Sequence, residues 1–183
     1  MRKLNVYELG RMTAEEFKIS EKLPVTVVLD NVRSLYNIGS VFRTSDAFRI
    51  EKVILCGITA TPENSLAEIH KTALGAEDSV EWIYFSDTMD AVRHLKSDGY
   101  TLVAVEQVVD SVKLDDFRIP DSKYALFFGN EVKGVLQEVV DSCDFSLEIP
   151  QYGTKHSLNV SVSVGVVLWE FAKQLKKEIA QTI

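Results

Sequence analysis

Short apolar, β-branched runs alternate with amphipathic stretches along almost the whole chain. Residues 25–29, 52–56, 80–85, 100–105, 124–128 and 145–149 have the length and composition of buried strands. Between them, residues 38–48 offer Ile38, Val41, Phe42, Ser45 and Phe48 to one helical face. Residues 65–74 read as a helix stopped by Gly75, and residues 88–96 as one ended by Asp98-Gly99. A last helix is predicted from Ser157 or Leu158 to about Ile179. Strands alternating with helices imply βα units. The fold class is therefore α/β, a mainly parallel sheet with helices on both faces. Residues 1–22 read as a polar arm with a short helix at 13–17, and residues 23–183 as one domain. Residues 108–120 read as an irregular connection.

Three polar segments interrupt this pattern at strand ends, where open α/β sheets bind ligands. They are Asn37-Ile38-Gly39-Ser40-Val41-Phe42-Arg43, Phe128-Gly129-Asn130-Glu131-Val132-Lys133-Gly134, and Ile149-Pro150-Gln151-Tyr152-Gly153 running into Ser157-Leu158-Asn159-Val160. Together they suggest a composite site for a small cofactor and a polar substrate. In the first, Asn37 is placed to cap a helix. The planar fork of Arg43 suits a phosphate or a ribose hydroxyl, although an ordinary cap and a surface arginine fit the same residues. In the second, Gly129 and Asn130 suit a tight turn with positive φ, and Glu131 and Gly134 then open a short helix. Glu131 is either an acid favoured by the helix dipole or a group at the mouth of the site. In the third, Ser157 and Asn159 both suit a cap; one is enough, which leaves the other for a ligand. His156 is either a general base or a solvent-exposed loop histidine. His70 and His94 lie on helical patterns without a neighbouring acid pair and read as structural or exposed.

The charge balance complicates this picture. The net charge is −7, unlike that of a dedicated nucleic-acid binder. The segment holding Arg33, Arg43 and Arg49 has one acid, Asp46, so a local cationic patch for a phosphate-bearing substrate is expected. The two cysteines, Cys56 and Cys143, sit in apolar strand-like contexts without metal-ligand spacing and read as reduced, buried thiols. With no apolar leader and no run of membrane-spanning length, the chain reads as cytoplasmic. The residues after the first strand, Asn31 to Asn37, lack the glycine set of a dinucleotide-dependent oxidoreductase.

Taken in order, Asn37-x-Gly-x-x-x-Arg43, Phe128-Gly-Asn-Glu131-x-x-Gly134 and Ile149-Pro-x-x-Gly153-x-x-x-Ser157-Leu-Asn159-Val resemble the three motifs of the SpoU family of RNA 2′-O-methyltransferases, within the SPOUT superfamily. The resemblance covers roughly residues 24 to 175. Thr72-Ala73-Leu74-Gly75-Ala76 is similar to a weaker family feature. The resemblance implies a C-terminal deep trefoil knot and S-adenosylmethionine as cofactor, with S-adenosylhomocysteine as product and no metal. It maps cofactor binding onto Val105, Glu106, Gly129, Asn130, Gly134, Ile149, Gln151, Ser157 and Leu158. It maps the catalytic set onto Asn37, Arg43, Glu131, Ser157 and Asn159. The family's matching arginine has been proposed as the base; a guanidinium, which gives up its proton only reluctantly, is better suited to orienting ribose and phosphate. The implied substrate is RNA, with tRNA favoured over rRNA because only a short arm precedes the motifs. The implied assembly is a homodimer through the knot and the last helix, where Val162, Val166, Trp169 and Phe171 offer packing and Gly165 close approach. The competing implication is a SPOUT-fold RNA-binding or cofactor-sensing protein without catalysis.

Overall fold

A computed structural model describes residues 1–120 and 122–175. After a 3-10 turn at Val6–Leu9, the elements run α1 (Ala14–Ile19), β1 (Leu23–Asp30), α2 (Leu35–Ala47), β2 (Ile50–Cys56), α3 (Pro62–Ala73), α4 (Ala76–Ser79) and β3 (Glu81–Phe85). They continue through α5 (Thr88–Ser97), β4 (Thr101–Val105), β5 (Val112–Lys113), β6 (Tyr124–Gly129), α6 (Gln137–Val140), β7 (Phe145–Glu148) and α7 (Val160–Leu175). The seven strands form one sheet in the order β3-β2-β1-β6-β4-β7-β5, and each neighbouring pair is parallel. The expected α/β class, with helices on both faces, is what the chain adopts.

Side chains alternate across a strand, and the two cores follow that period of two. Val25, Val27 and Leu29 of β1 face one core, with Ile38 and Phe42 of α2 and Val164, Leu168 and Phe171 of α7. Val28 faces the other, with Ile54, Phe127, Ala91, Leu95 and Val139. Each fully buried aromatic or aliphatic side chain contributes roughly 1.5–3 kcal/mol, so both faces of the central strands hold the sheet. β6 inserts between β1 and β4, with Asp30 level with Gly129 and also with Cys56. That register brings the carboxyl ends of β1, β6, β4 and β7 side by side.

Several boundaries differ from expectation for local reasons. Helix α2 starts at Leu35, because Ser34 rather than Asn37 is its cap: Ser34 Oγ accepts from the Asn37 N–H at 3.3 Å. Helix α3 starts at Pro62, with Thr61 as cap. Gly75, at φ 96°, links it to the short α4, which the pattern did not show. The two-residue β5 lies inside the segment expected to be irregular; it is too short to leave an apolar run. Residues 130–134 form a turn, not the opening of a helix. The positive φ there belongs to Gly134, at 66°, and not to Gly129 or Asn130. Helix α7 begins at Val160, and its expected end near Ile179 lies outside the described residues. Among the described residues, no helix is long and apolar enough to cross a membrane.

Candidate active site

One hydrogen-bonded chain joins the three polar segments. Asn37 Nδ2 donates to Glu131 Oε1 at 2.5 Å. Asn159 Nδ2 donates to Asn37 Oδ1 at 3.1 Å. Asn37 plays this role because Ser34 caps α2 and leaves the Asn37 amide free. Asn159 does two jobs: its Oδ1 accepts from the Ser161 N–H at 2.9 Å, capping α7, while its amide reaches Asn37. Glu131 Oε2 makes no hydrogen bond among the described residues. The reading that one polar residue of the third segment caps the helix therefore assigns the cap to Asn159 and leaves the Ser157 hydroxyl unused.

Beside this chain lies a cavity of about 570 Å³. Val105, Glu106, Gly129, Asn130, Gly134, Ile149, Gln151, Ser157 and Leu158 all line it, as does Glu131. Its wall at 129–134 is a turn drawn tight by Asn130. The side-chain oxygen of Asn130 accepts from the N–H groups of Val132 and Lys133, both at 2.9 Å, and its carbonyl accepts from the Gly134 N–H at 2.9 Å. Gly129 is required by this closure, since a Cβ there would stand 1.8 Å from the Gly134 carbonyl carbon. Glu106 holds the far side: its carboxylate accepts from the N–H groups of Gln107 at 2.9 Å and Val135 at 3.1 Å. On the opposite wall, Lys113 and then Ser111 hold the Glu148 carboxyl below its usual range. Their bonds to Glu148, at 2.5 and 2.6 Å, tie the short β5 to β7.

Not every expected residue meets in one chain. Arg43 is exposed, makes no hydrogen bond or ion pair among the described residues, and does not line the cavity. Six residues along a helix is 600°, so Arg43 points about 120° away from Asn37. Nor do the three arginines form one patch. Arg33 follows β1 and Arg49 precedes β2, at opposite ends of α2, which is about 20 Å long. Phe171 is fully buried in its own subunit's core, while Val162, Val166 and Trp169 are exposed on the other side of α7. His156 borders the cavity, and its carbonyl accepts from Gln107 Nε2 at 2.7 Å. His70, expected to be structural or exposed, is exposed and pairs through Nδ1 with one acid, the buried Glu77, at 2.5 Å.

Two participants escaped the sequence reading. Gln107 bridges the cavity to the 150–159 loop, a contact across 49 residues. Asp30 is fully buried beneath the 129–136 turn. Its negative charge, after burial itself, helps push the neighbouring Cys56 thiol up to about 12. An acid closing an apolar strand was the one available signal for Asp30.

Residues 24–169 match a family model described as the SpoU rRNA Methylase family. The chain is 31% identical over 175 residues to the tRNA (guanosine(18)-2′-O)-methyltransferase of Thermus thermophilus, covering 93% of this chain and 85% of that one. It is 33% identical over 162 residues to the 23S rRNA (guanosine-2′-O-)-methyltransferase RlmB of Neisseria meningitidis serogroup B, covering 85% of this chain and 61% of that one. Among solved structures, the AdoMet-bound rRNA methyltransferase from Sinorhizobium meliloti superposes with a TM-score of 0.77 at 29% identity. That match covers 85% of this chain and 58% of that one.

Proposed function

The chain belongs to the SpoU rRNA methylase family, and from that premise we propose that it transfers a methyl group from S-adenosylmethionine to a ribose 2′-hydroxyl of RNA. The observation that carries this reading is the hydrogen-bonded chain Glu131–Asn37–Asn159 at the rim of a ligand-sized cavity. Cavities of roughly 300–1,000 Å³ hold small ligands. This one pairs apolar walls, Val105, Leu147, Ile149 and Leu158, with the polar ends of Asn130, Gln151 and Ser157. That donor set fits a purine, a ribose and an amino-acid tail.

The bound cofactor supplies a methyl group on a sulfonium sulfur. Asn37, fixed by Glu131 and Asn159, orients the sugar, and Glu131 Oε2 is left to accept from its hydroxyl. Much of the acceleration then comes from positioning. The planar guanidinium fork of Arg43 holds the adjoining phosphate. Since Arg43 points about 120° around α2 from Asn37 and makes no hydrogen bond to the Glu131–Asn37–Asn159 chain, the reading includes a homodimer in which each subunit's Arg43 serves its partner's site. Helix α7 supports this assembly, because Val162, Val166 and Trp169 form an exposed apolar stripe at helical spacing. Gly165 adds open space beside it. The insertion of β6 between β1 and β4, followed by the return of the chain to Asn37, is read as the family's trefoil knot. The tRNA reading is supported by the alignment over 85% of the Thermus enzyme.

The test is transfer of a tritiated methyl group to size-fractionated tRNA and rRNA from cells lacking the protein. The product is expected as an alkali-resistant internucleotide linkage in the tRNA fraction. Label confined to bases would refute the ribose reading, and label in rRNA alone would refute the tRNA reading. Cofactor binding without transfer to either fraction would favour the non-catalytic RNA-binding or cofactor-sensing protein.

A further inference from the structure

The back of the cofactor turn is held by two carboxylates from the two strands that flank β6. Glu106, just after β4, accepts from the Val135 N–H at 3.1 Å. Asp30, at the end of β1, accepts through Oδ2 from the Leu136 N–H at 2.9 Å, across 106 residues. Glu106 lines the cavity, whereas Asp30 does not. Asp30 is itself fully fixed: its Oδ1 accepts from Thr88 Oγ1 at 2.7 Å and from Asn31 Nδ2 at 2.8 Å. Asn31 sits in the left-handed region at φ 56°, and its side-chain oxygen accepts from the Ile58 N–H at 3.2 Å. An unusual backbone conformation, a helix start and the end of β2 therefore converge on one acid whose side chain meets the 129–136 turn through the Leu136 amide, while its backbone lies level with Gly129.

We propose that Asp30 is a positioning residue for the methyl donor: its carboxylate pins the Leu136 amide, so that the 129–136 turn presents its inner edge to the cavity in the binding conformation. This rests on the cofactor reading above. Without the pin, the turn samples open forms, and affinity falls by the fraction of time the closed form is lost. A buried amide left without an acceptor disfavours the closed form.

The experiment compares Asp30→Asn with Thr88→Val in the full chain. In the first, the two donors on the Oδ1 side, Thr88 Oγ1 and Asn31 Nδ2, claim the amide oxygen and turn the NH2 group toward the Leu136 N–H, which loses its acceptor; the second removes a donor from Asp30 but leaves the Leu136 bond. S-adenosylmethionine binding is measured by calorimetry well below both melting temperatures, and steady-state methyl transfer supplies the KM and kcat split. Asp30→Asn is expected to weaken binding about tenfold and to raise KM for the donor, with kcat at saturating donor unchanged. Thr88→Val is expected to lose stability but to bind within twofold of wild type. Equal donor affinity in wild type and Asp30→Asn overturns the proposal, as does an equal weakening in both variants. Should Asp30→Asn not fold, Leu136→Pro against Leu136→Ala decides. The Leu136 φ of −57° suits proline, so the lost amide hydrogen is the main difference between the pair, and parallel thermal unfolding checks that the proline ring is accommodated. Unchanged donor affinity between them then overturns the proposal. A wild-type protein that binds no donor fails the cofactor reading instead.

Discussion

Adding one methyl group at Gly129 tests most directly the cofactor role proposed for the 129–134 turn. A Cβ there would lie 1.8 Å from the Gly134 carbonyl carbon and 2.0 Å from both its oxygen and the Val135 nitrogen. Carbon atoms pack at about 3.5–4.0 Å, so the turn must retreat by roughly 1.5 Å. Besides the Asn130 side-chain bonds within it, three bonds hold the edge that must move: the Gly134 N–H to the Asn130 carbonyl, the Val135 N–H to Glu106 and the Leu136 N–H to Asp30. They measure 2.9, 3.1 and 2.9 Å, and that retreat breaks them. At about 0.5–1.5 kcal/mol each, with about 1–3 kcal/mol of overpacking strain, the closed turn loses roughly 2.5–7.5 kcal/mol. Domains are stable by about 5–15 kcal/mol, so Gly129→Ala is expected to fold with an opened turn and a lowered Tm. S-adenosylmethionine affinity should fall at least about fiftyfold. Calorimetric titration with parallel thermal unfolding reads both effects. Gly153→Ala is the control, because a Cβ there meets nothing within 4 Å; it should leave binding unchanged. Gly129→Ala binding within threefold of wild type at an unchanged Tm would show that closure of this turn does not shape the donor site.

Arg43→Ala should abolish methyl transfer while donor affinity, by titration, stays within twofold. Mixing it with inactive Asn37→Ala should restore activity through heterodimers carrying one intact site, and no recovery would exclude service across the interface. Trp169→Glu should halve the mass measured by light scattering and remove transfer, because it puts a charge into the exposed stripe of α7. Stability should fall above about pH 9. Burial, first among the causes, pushes Cys56, Cys143 and Tyr100 up to about 12 from ordinary values near 9, 9 and 10. The native state therefore keeps protons that the unfolded chain releases, and the stabilisation is full below pH 9 and lost as pH rises toward 12. A urea midpoint that holds or rises between pH 8 and 10.5 would contradict this sign.

How much of this was legible in the sequence follows from the range of each interaction. The turn at 129–134 announces itself because its constraints are local: Asn130 bonds the amides two and three residues on, and Gly129 meets Gly134. Helix starts are nearly as local, yet Ser34 and Asn37 are both good caps, and composition cannot choose between them. Tertiary need decides here, because Asn37 is worth more to Glu131 and Asn159 than to its own helix. Asp30 and Gln107 were invisible, since their partners lie 106 and 49 residues away. Helix α7 shows a different limit. It is apolar on nearly all sides, so periodicity alone cannot say which face meets its own sheet. Val164, Val167, Leu168 and Phe171 turn inward, and Val162, Val166 and Trp169 are left outside. Arg43, by contrast, was open to arithmetic from the start. Its 600° separation from Asn37 rules out a shared helix face. A set that needs both residues at one sugar therefore needs either a long reach around α2 or a second subunit, and the exposed stripe on α7 favours the second.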